Sequence, residues 1–248
     1  LYDTSFGWRF INPKLEAVYG VDGMGVTAEN LVDKYTISRE DQDAFSFRSH
    51  MKATAARDAG RLAQEIVQVN IPRRKQDDLI FEHDEFIKPD TTVEILSKLR
   101  PAFRKEGGSV TAGNSSGLND GSAALLLANE SGLSSSGLTP LAQIISSAVV
   151  GVEPRIMGIG PVRASEIALK RAGITFDDLD VIELNEAFSA QALACIRAWG
   201  LDDDDSRINP NGGGISIGHP LGVTGSRILL AAARQLERTG GKYGLVTL

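Results

Sequence analysis

His219 and Asn185 stand in sequence surroundings suited to chemistry. Residues 212 to 227 read Gly-Gly-Gly-Ile-Ser-Ile-Gly-His-Pro-Leu-Gly-Val-Thr-Gly-Ser-Arg, which holds His219 in a glycine-rich turn. Gly218 and Pro220 restrict the backbone on either side of it, and Gly222 and Gly225 leave room for chain or ligand to pass closely. The apolar spacing Ile228, Leu229, Ala232 and Leu236 predicts a helix over 224–238, preceded by an apolar strand around Ile215. His219 then lies near a helix N-terminus, where the dipole favours anions and keeps an imidazole neutral. A neutral imidazole serves as a base, or as a hydrogen-bond donor to a developing oxyanion. The competing reading is a tight strand-to-helix turn with an incidental histidine.

The run Val-Ile-Glu-Leu-Asn-Glu-Ala-Phe-Ser-Ala-Gln over 181–191 gives the second candidate. Residues 180–184 read as a short buried strand and 187–198 as a helix of small and apolar residues. Asn185 and Glu186 therefore fall at the C-terminal end of a strand, where open α/β sheets put their ligands. An amide there can hold a water or a carbonyl oxygen without changing charge. The other reading of Asn185 is a helix N-cap.

The elements around these segments change character once, near residue 107. The charged, loop-rich part before it contains a helix that Thr27 could cap and a second helix opened by Ser38-Arg39-Glu40-Asp41 and running to about Arg57. From Gly107 onward we expect a turn at 111–116, a helix at 118–128 and a strand at 142–149. Helices around Ile167, Ala190 and Leu229 then alternate with strands around Val181, Ile215 and Val246. This is the α/β pattern of layered sheets.

Composition narrows the class. A chain of 248 residues with 42% hydrophobic content can bury a large core. Its one cysteine excludes a disulfide framework and suits a reducing compartment, so a cytoplasmic location is expected. No apolar run approaches the roughly 20 residues that span a bilayer, and a net charge of −6 gives no support for nucleic-acid binding. We expect neither a membrane nor a nucleic acid as partner, and no metal. His50 and His83 lie in charged surroundings and are expected to be exposed; Asp202 to Asp205 read as a solvated loop.

Four stretches together resemble the thiolase family: Asn185-Glu186-Ala187-Phe188, the Gly-His-Pro-Leu-Gly run at 218–222, the Val-Thr-Ala-Gly-Asn-Ser-Ser-Gly-Leu-Asn-Asp-Gly run at 110–121, and Met-Gly-Ile-Gly-Pro-Val at 157–162. They occur in the family's order and span nearly the whole chain. The stretches at 1–13 and 19–22 look most like thiolases that act on 3-oxoadipyl-CoA. The resemblance implies a thiolase-like layered α-β-α-β-α fold, incomplete here. Residues 1–106 would form the loop domain covering the active site, 107–137 the end of the N-terminal core half, and 138–248 the C-terminal core half without its last strands. Thiolases also use two cysteines, neither of which is matched here. Cys195 lies in the helix after the Asn-Glu-Ala-Phe run and reads as a small packing residue. We therefore expect a partial thiolase that does not turn over alone.

The same resemblance implies roles for particular residues. His219 would take the proton of the nucleophilic cysteine and donate to the thioester oxygen, and Asn185 would hold the water that completes this oxyanion site. Ser116 and Ala112 match the turn along the pantetheine arm of coenzyme A. Met24 and Phe188 match residues lining the acyl tunnel, and Lys88 falls where relatives carry an arginine near the adenine and phosphate end. Gly23 stands where acetoacetyl-specific relatives have a histidine, and a dicarboxylic acyl group would need a cation such as Arg9 or Arg155. Coenzyme A and acetyl-CoA are expected as substrates with no permanently bound cofactor. Acyl-CoA is the expected partner, within a homodimer or homotetramer.

Overall fold

The computed structural model describes Trp8 and residues 10–248. Arg9 and most of the 1–13 stretch fall outside the described residues. The first part of the chain is helical: α1 (Pro13–Tyr19), α2 (Met24–Tyr35) and α3 (Arg39–Asp58), followed by the exposed antiparallel hairpin of β1 (Val69–Ile71) and β2 (Leu79–Phe81) and the short α4 (Val93–Ser97). The later part runs α5 (Glu130–Ser136), α6 (Gly160–Ala172), β3 (Val181–Leu184), α7 (Ser189–Ala198), α8 (Gly214–Ile217), α9 (Leu221–Thr239) and β4 (Gly244–Thr247). Strands β3 and β4 pair in parallel, Val181 opposite Gly244 and Leu184 opposite Thr247, with three helices in the crossover between them. This is the α/β class expected.

Local sequence explains most boundaries. Ser38 caps α3 by accepting the Asp41 N–H, as its sequence suggests, and Gly240 ends α9 in the left-handed region at φ +69. Helix α7 is apolar or small nearly all round and is buried nearly all round, the condition for a central helix. Leu193 and Ile196 on it join Leu31, Ile182, Leu184, Ile208 and Ile215 in the main core. Helices α2 and α3 both pack on α7, and α9 covers β3 and β4. None of the described helices is long and apolar enough to cross a membrane.

Six expectations need correction. Thr27 does not cap α2: the helix starts three residues earlier from Gly23, and the Thr27 hydroxyl donates to the Met24 carbonyl at 2.7 Å. Residues 118–128 take no regular structure; Leu118, Leu126 and Leu127 are exposed with nothing among the described residues to pack on, and a helix this short is marginal without such packing. Residues 142–149 are likewise not a strand, since no described strand pairs with them. The segment around Ile215 is the helical turn α8, because Glu186 takes the Ile215 N–H and Gly213 takes the Ser216 N–H. His50 is buried rather than exposed, on the inner side of α3, whereas His83 is exposed. Asp202 and Asp204 are solvated, but Asp203 and Asp205 are ion-paired with Arg197 and Arg207 at 2.7 Å.

Glu183 on β3 is 1% exposed, and Oε1 has no hydrogen-bond partner among the described residues. Burial, partly offset by the charge of Arg227, raises its carboxyl to about 8. A carboxyl raised on folding contributes stability that is fully present below its unfolded value of about 4.5 and is lost as pH rises through about 8. Urea unfolding of this protein is therefore expected to show falling stability between pH 4.5 and 8, with Glu183→Gln flattening that fall. An unchanged slope in the variant would count against a protonated Glu183.

Candidate active site

Strand β3 delivers Asn185 and Glu186 at its C-terminal end, and the Asn185 N–H continues the parallel ladder by donating to the Thr247 carbonyl at 3.0 Å. Glu186, 1% exposed, turns inward and organises what surrounds it. Its carboxylate accepts from Ser49 Oγ of α3 at 2.7 Å, from Asn209 Nδ2 at 2.7 Å and from the Ile215 N–H of α8 at 3.2 Å. Asn209 in turn holds both the N–H and the carbonyl of Leu184 at 2.9 and 2.8 Å, so its side chain acts as a short neighbouring strand. A Cβ at Gly213 would lie 2.3 Å from Glu186 Cδ, which is why the chain comes this close only with glycine there.

This arrangement sets the turn between α8 and α9 that carries His219; the turn joins two helices, not a strand and a helix. Gly218 has φ +106, and a Cβ on it would fall 2.5 Å from Asn119 Oδ1. His219 is half-buried, with Nε2 3.3 Å from Asn185 Nδ2 and Nδ1 2.7 Å from Thr224 Oγ1. The Thr224 hydroxyl lies 3.1 Å from the Pro220 carbonyl, its helical partner four residues back. When its single proton goes to that carbonyl, it accepts from His219 Nδ1–H and leaves Nε2 as the basic nitrogen, opposite the amide N–H of Asn185. Burial, then the charge of Arg227, lower the pKa of His219, favouring the neutral ring. Asn185 is not a helix cap: α7 begins at Ser189, and Asn185 Oδ1 is buried without a partner among the described residues.

The 111–117 turn docks beside this pair. The Ser116 N–H donates to the Ala187 carbonyl and the Ser189 N–H to the Asn114 carbonyl, both at 2.9 Å. Ser116 is thereby held next to the Asn-Glu-Ala-Phe segment, and Ala112 is exposed at the far side of the turn. Phe188 stacks edge-on against Phe103, whose ring fills the space where Gly25 lacks a side chain. Met24, the exposed first residue of α2, is thus one position from a contact chain leading to Phe188. Lys88 is exposed, its Nζ 5.0 Å from the Phe86 ring centre, and that ring packs on Gly117. A cleft of about 250 Å³ opens beside His219, lined by Leu118, Asn119, Asp120 and Leu221. Ser116, Ala112, Met24, Lys88 and Phe188 do not line it.

Arg155 is already engaged, its Nε 2.8 Å from Asp22. Glu186, read together with Asn185 at the strand end, proves to be the anchor of the site, and Thr224 and Asn119 shape it as well. The signal for Thr224 is a hydroxyl one helical turn after Pro220; Asn119 lies in the 110–121 run, but its residue type alone does not point to the His219 turn.

Comparison with known proteins follows the same residues. Residues 9–131 match the family model described as "Thiolase, N-terminal domain" and residues 138–248 that described as "Thiolase, C-terminal domain". The chain is 53% identical over 246 residues to a beta-ketoadipyl-CoA thiolase of Acinetobacter baylyi, covering 99% of this chain and 61% of that protein. It is 50% identical over 248 residues to the 3-oxoadipyl-CoA/3-oxo-5,6-dehydrosuberyl-CoA thiolase of Escherichia coli K12, covering 100% and 62% respectively. Among solved structures it is similar to the Bacillus anthracis acetyl-CoA acetyltransferase, with a TM-score of 0.87 at 42% identity over 99% of this chain and 64% of that one. The human mitochondrial 3-ketoacyl-CoA thiolase gives 0.84 at 45% identity, covering 90% and 55%. The chain thus spans about three fifths of the length of the curated relatives it matches.

Cys195 stands apart from this site. It is fully buried in α7, its thiol donates to the Gly158 carbonyl at 3.3 Å, and burial pushes it up to about 12. Native protein at pH 8 is expected to leave Cys195 unmodified by iodoacetamide, with complete labelling once guanidinium unfolds the chain; peptide mass mapping reads both. Rapid modification of Cys195 in the folded state would contradict this burial.

Proposed function

The chain belongs to the thiolase family, and from that premise we propose that it is part of an acyl-CoA C-acyltransferase that cleaves 3-oxoacyl-CoA with coenzyme A, or runs the reverse condensation. The observation that carries the reading is the imidazole of His219 held between Asn185 and Thr224. We place the nucleophilic cysteine outside these 248 residues, since Cys195 is buried and inert.

His219 Nε2 takes the proton of that thiol, because a neutral ring with its other proton fixed on Nδ1 has only this lone pair to offer. The thiolate attacks the 3-keto carbon of the substrate and forms a tetrahedral alkoxide. Its collapse breaks the C2–C3 bond: the acyl group stays on sulfur as a thioester, and the electron pair leaves as the enolate of acetyl-CoA, whose thioester oxygen meets the Nε2–H so formed and a water held by Asn185 Nδ2. C2 of that enolate takes a proton from the family's second cysteine, which we also place outside these residues, and the thiol of coenzyme A then gives up its proton and takes the acyl group, freeing the nucleophile. Ser116 and Ala112 lie along the pantetheine arm, Lys88 near the phosphates, and Met24 and Phe188 along the acyl chain. The names of the similar proteins from Acinetobacter baylyi and Escherichia coli favour a dicarboxylic acyl group such as 3-oxoadipyl. Arg155 bonds Asp22 through Nε, its Nη atoms have no partner among the described residues, and we assign them to the distal carboxylate. We retain the division at 1–106, 107–137 and 138–248, a homodimer or homotetramer, and a cytoplasmic location as parts of the same proposal; a single buried thiol suits a reducing compartment.

Intact mass and incubation with acetyl-CoA test it. A protein well above 26.5 kDa that takes up one acetyl group on a cysteine other than Cys195 is the expected result. A mass of 26.5 kDa with acetyl-CoA bound and no transfer would instead leave an acyl-CoA-binding relative, a reading favoured by the inertness of the chain's own cysteine. In the active protein, Asn185→Ala is expected to lower kcat about 10²–10³-fold and His219→Ala about 10²–10⁴-fold. Thr224→Val should lower kcat while Thr224→Ser preserves it, and equal rates for both would remove Thr224 from the argument.

A further inference from the structure

Helix α3 carries two adjacent polar side chains that serve other parts of the molecule. Ser49 donates to Glu186 and lies 2.8 Å from Ser216 Oγ, at the foot of the His219 turn. His50 follows it and, at about 100° further round the helix, faces a different neighbour. It is 4% exposed, and its Nδ1 accepts the backbone N–H of Lys88 at 3.3 Å. Accepting at Nδ1 requires a neutral ring with its proton on Nε2. Burial first, and then the charge of Lys88, bring the imidazole down to about 4, so this is the form present at neutral pH.

Lys88 belongs to an irregular strap between β2 and α4 that lacks a sheet or helix ladder of its own. Three successive residues fasten it instead. The Phe86 ring lies on Gly117 at the end of the 111–117 turn, where a Cβ would come within 2.6 Å of it. Ile87 is buried with Ala53, Ala56 and Leu62 against α3. At Lys88 the fastening is the hydrogen bond to His50, while the ammonium is left over the Phe86 ring at the surface. Two of these anchors are apolar and tolerate sliding; the hydrogen bond is directional and fixes the lysine backbone.

We propose that His50 is a positioning residue for coenzyme A, holding the Lys88 strap so that the lysine ammonium meets the phosphate-bearing end of the molecule. The assignment rests on the coenzyme A reading given above. Because Ser49 and His50 are neighbours on one rigid helix, α3 ties the phosphate grip to the turn that carries His219. Without the hydrogen bond, the strap must be ordered at the moment of binding, and that cost appears in the affinity for the phosphorylated end alone.

The test compares coenzyme A with pantetheine, which has the same thiol arm and no phosphates, by titration calorimetry on the wild-type protein, His50→Leu and His50→Gln. His50→Leu is expected to bind coenzyme A about tenfold more weakly. His50→Gln should restore most of the loss, since its amide oxygen can accept the same N–H, and pantetheine should bind all three alike. Hydrogen exchange at the Lys88 amide in the wild-type protein supplies a readout that no folding failure of a variant can remove: slow exchange is expected. Unchanged affinity of His50→Leu for coenzyme A, no recovery in His50→Gln, equal weakening of pantetheine, or unprotected exchange at Lys88 would each overturn the role of His50. Wild-type protein that binds neither molecule would overturn the coenzyme A reading itself.

Discussion

The carboxylate of Glu186 is the interaction on which the rest of the site depends. Buried at the end of a parallel strand, an acidic side chain is costly unless several donors converge on it. Here a hydroxyl from α3, an amide from Asn209 and the backbone of α8 do so at once. Each of these donors comes from a different stretch of sequence, so satisfying one carboxylate fixes the relative position of three segments. The penalty for losing any one donor is then larger than the net worth of a single hydrogen bond, because the others cannot follow it into water.

From that anchor the geometry of the imidazole follows. Glu186 shapes α8, α8 sets the start of the glycine turn, and the turn delivers His219 between an amide on β3 and a hydroxyl on α9. Two glycines allow this. Gly213 lets the chain pass the carboxylate, and Gly218 takes a positive φ against Asn119. The ring is thereby held at both nitrogens by groups that carry no charge, Nδ1 by Thr224 and the proton-accepting Nε2 by the Asn185 amide. Burial, and then the charge of Arg227, both disfavour the imidazolium.

Much of this was legible in the sequence, and what was not has identifiable causes. Strand β3, the cap of α3 and the long helix after His219 are local features, written in caps and apolar periodicity, and they were readable to within a few residues. The proximity of Asn185 and His219 was not derivable from spacing; it came from resemblance, since 34 positions separate them and only the fold brings them together. Residues 214–217 misled because Ile-Ser-Ile alternates like a strand, while the hydrogen bond from Ile215 to Glu186 is a tertiary fact. His50 misled in the same way: its charged neighbours in sequence point elsewhere on α3, and its burial depends on a strap nearly forty residues away. The segments 118–128 and 142–149 have the propensity expected of them and lack a surface to pack on among the described residues.

Those two segments share one structural feature. Leu118, Leu126 and Leu127 in one, and Ile144, Ile145 and Val149 in the other, expose large apolar groups beside backbone that no described strand pairs with. Extended, apolar and unpaired chain is a template for intermolecular β-pairing. Any chain that pairs with these two stretches would therefore bury Leu126, Leu127, Ile144, Ile145 and Val149 and satisfy the backbone beside them in one step.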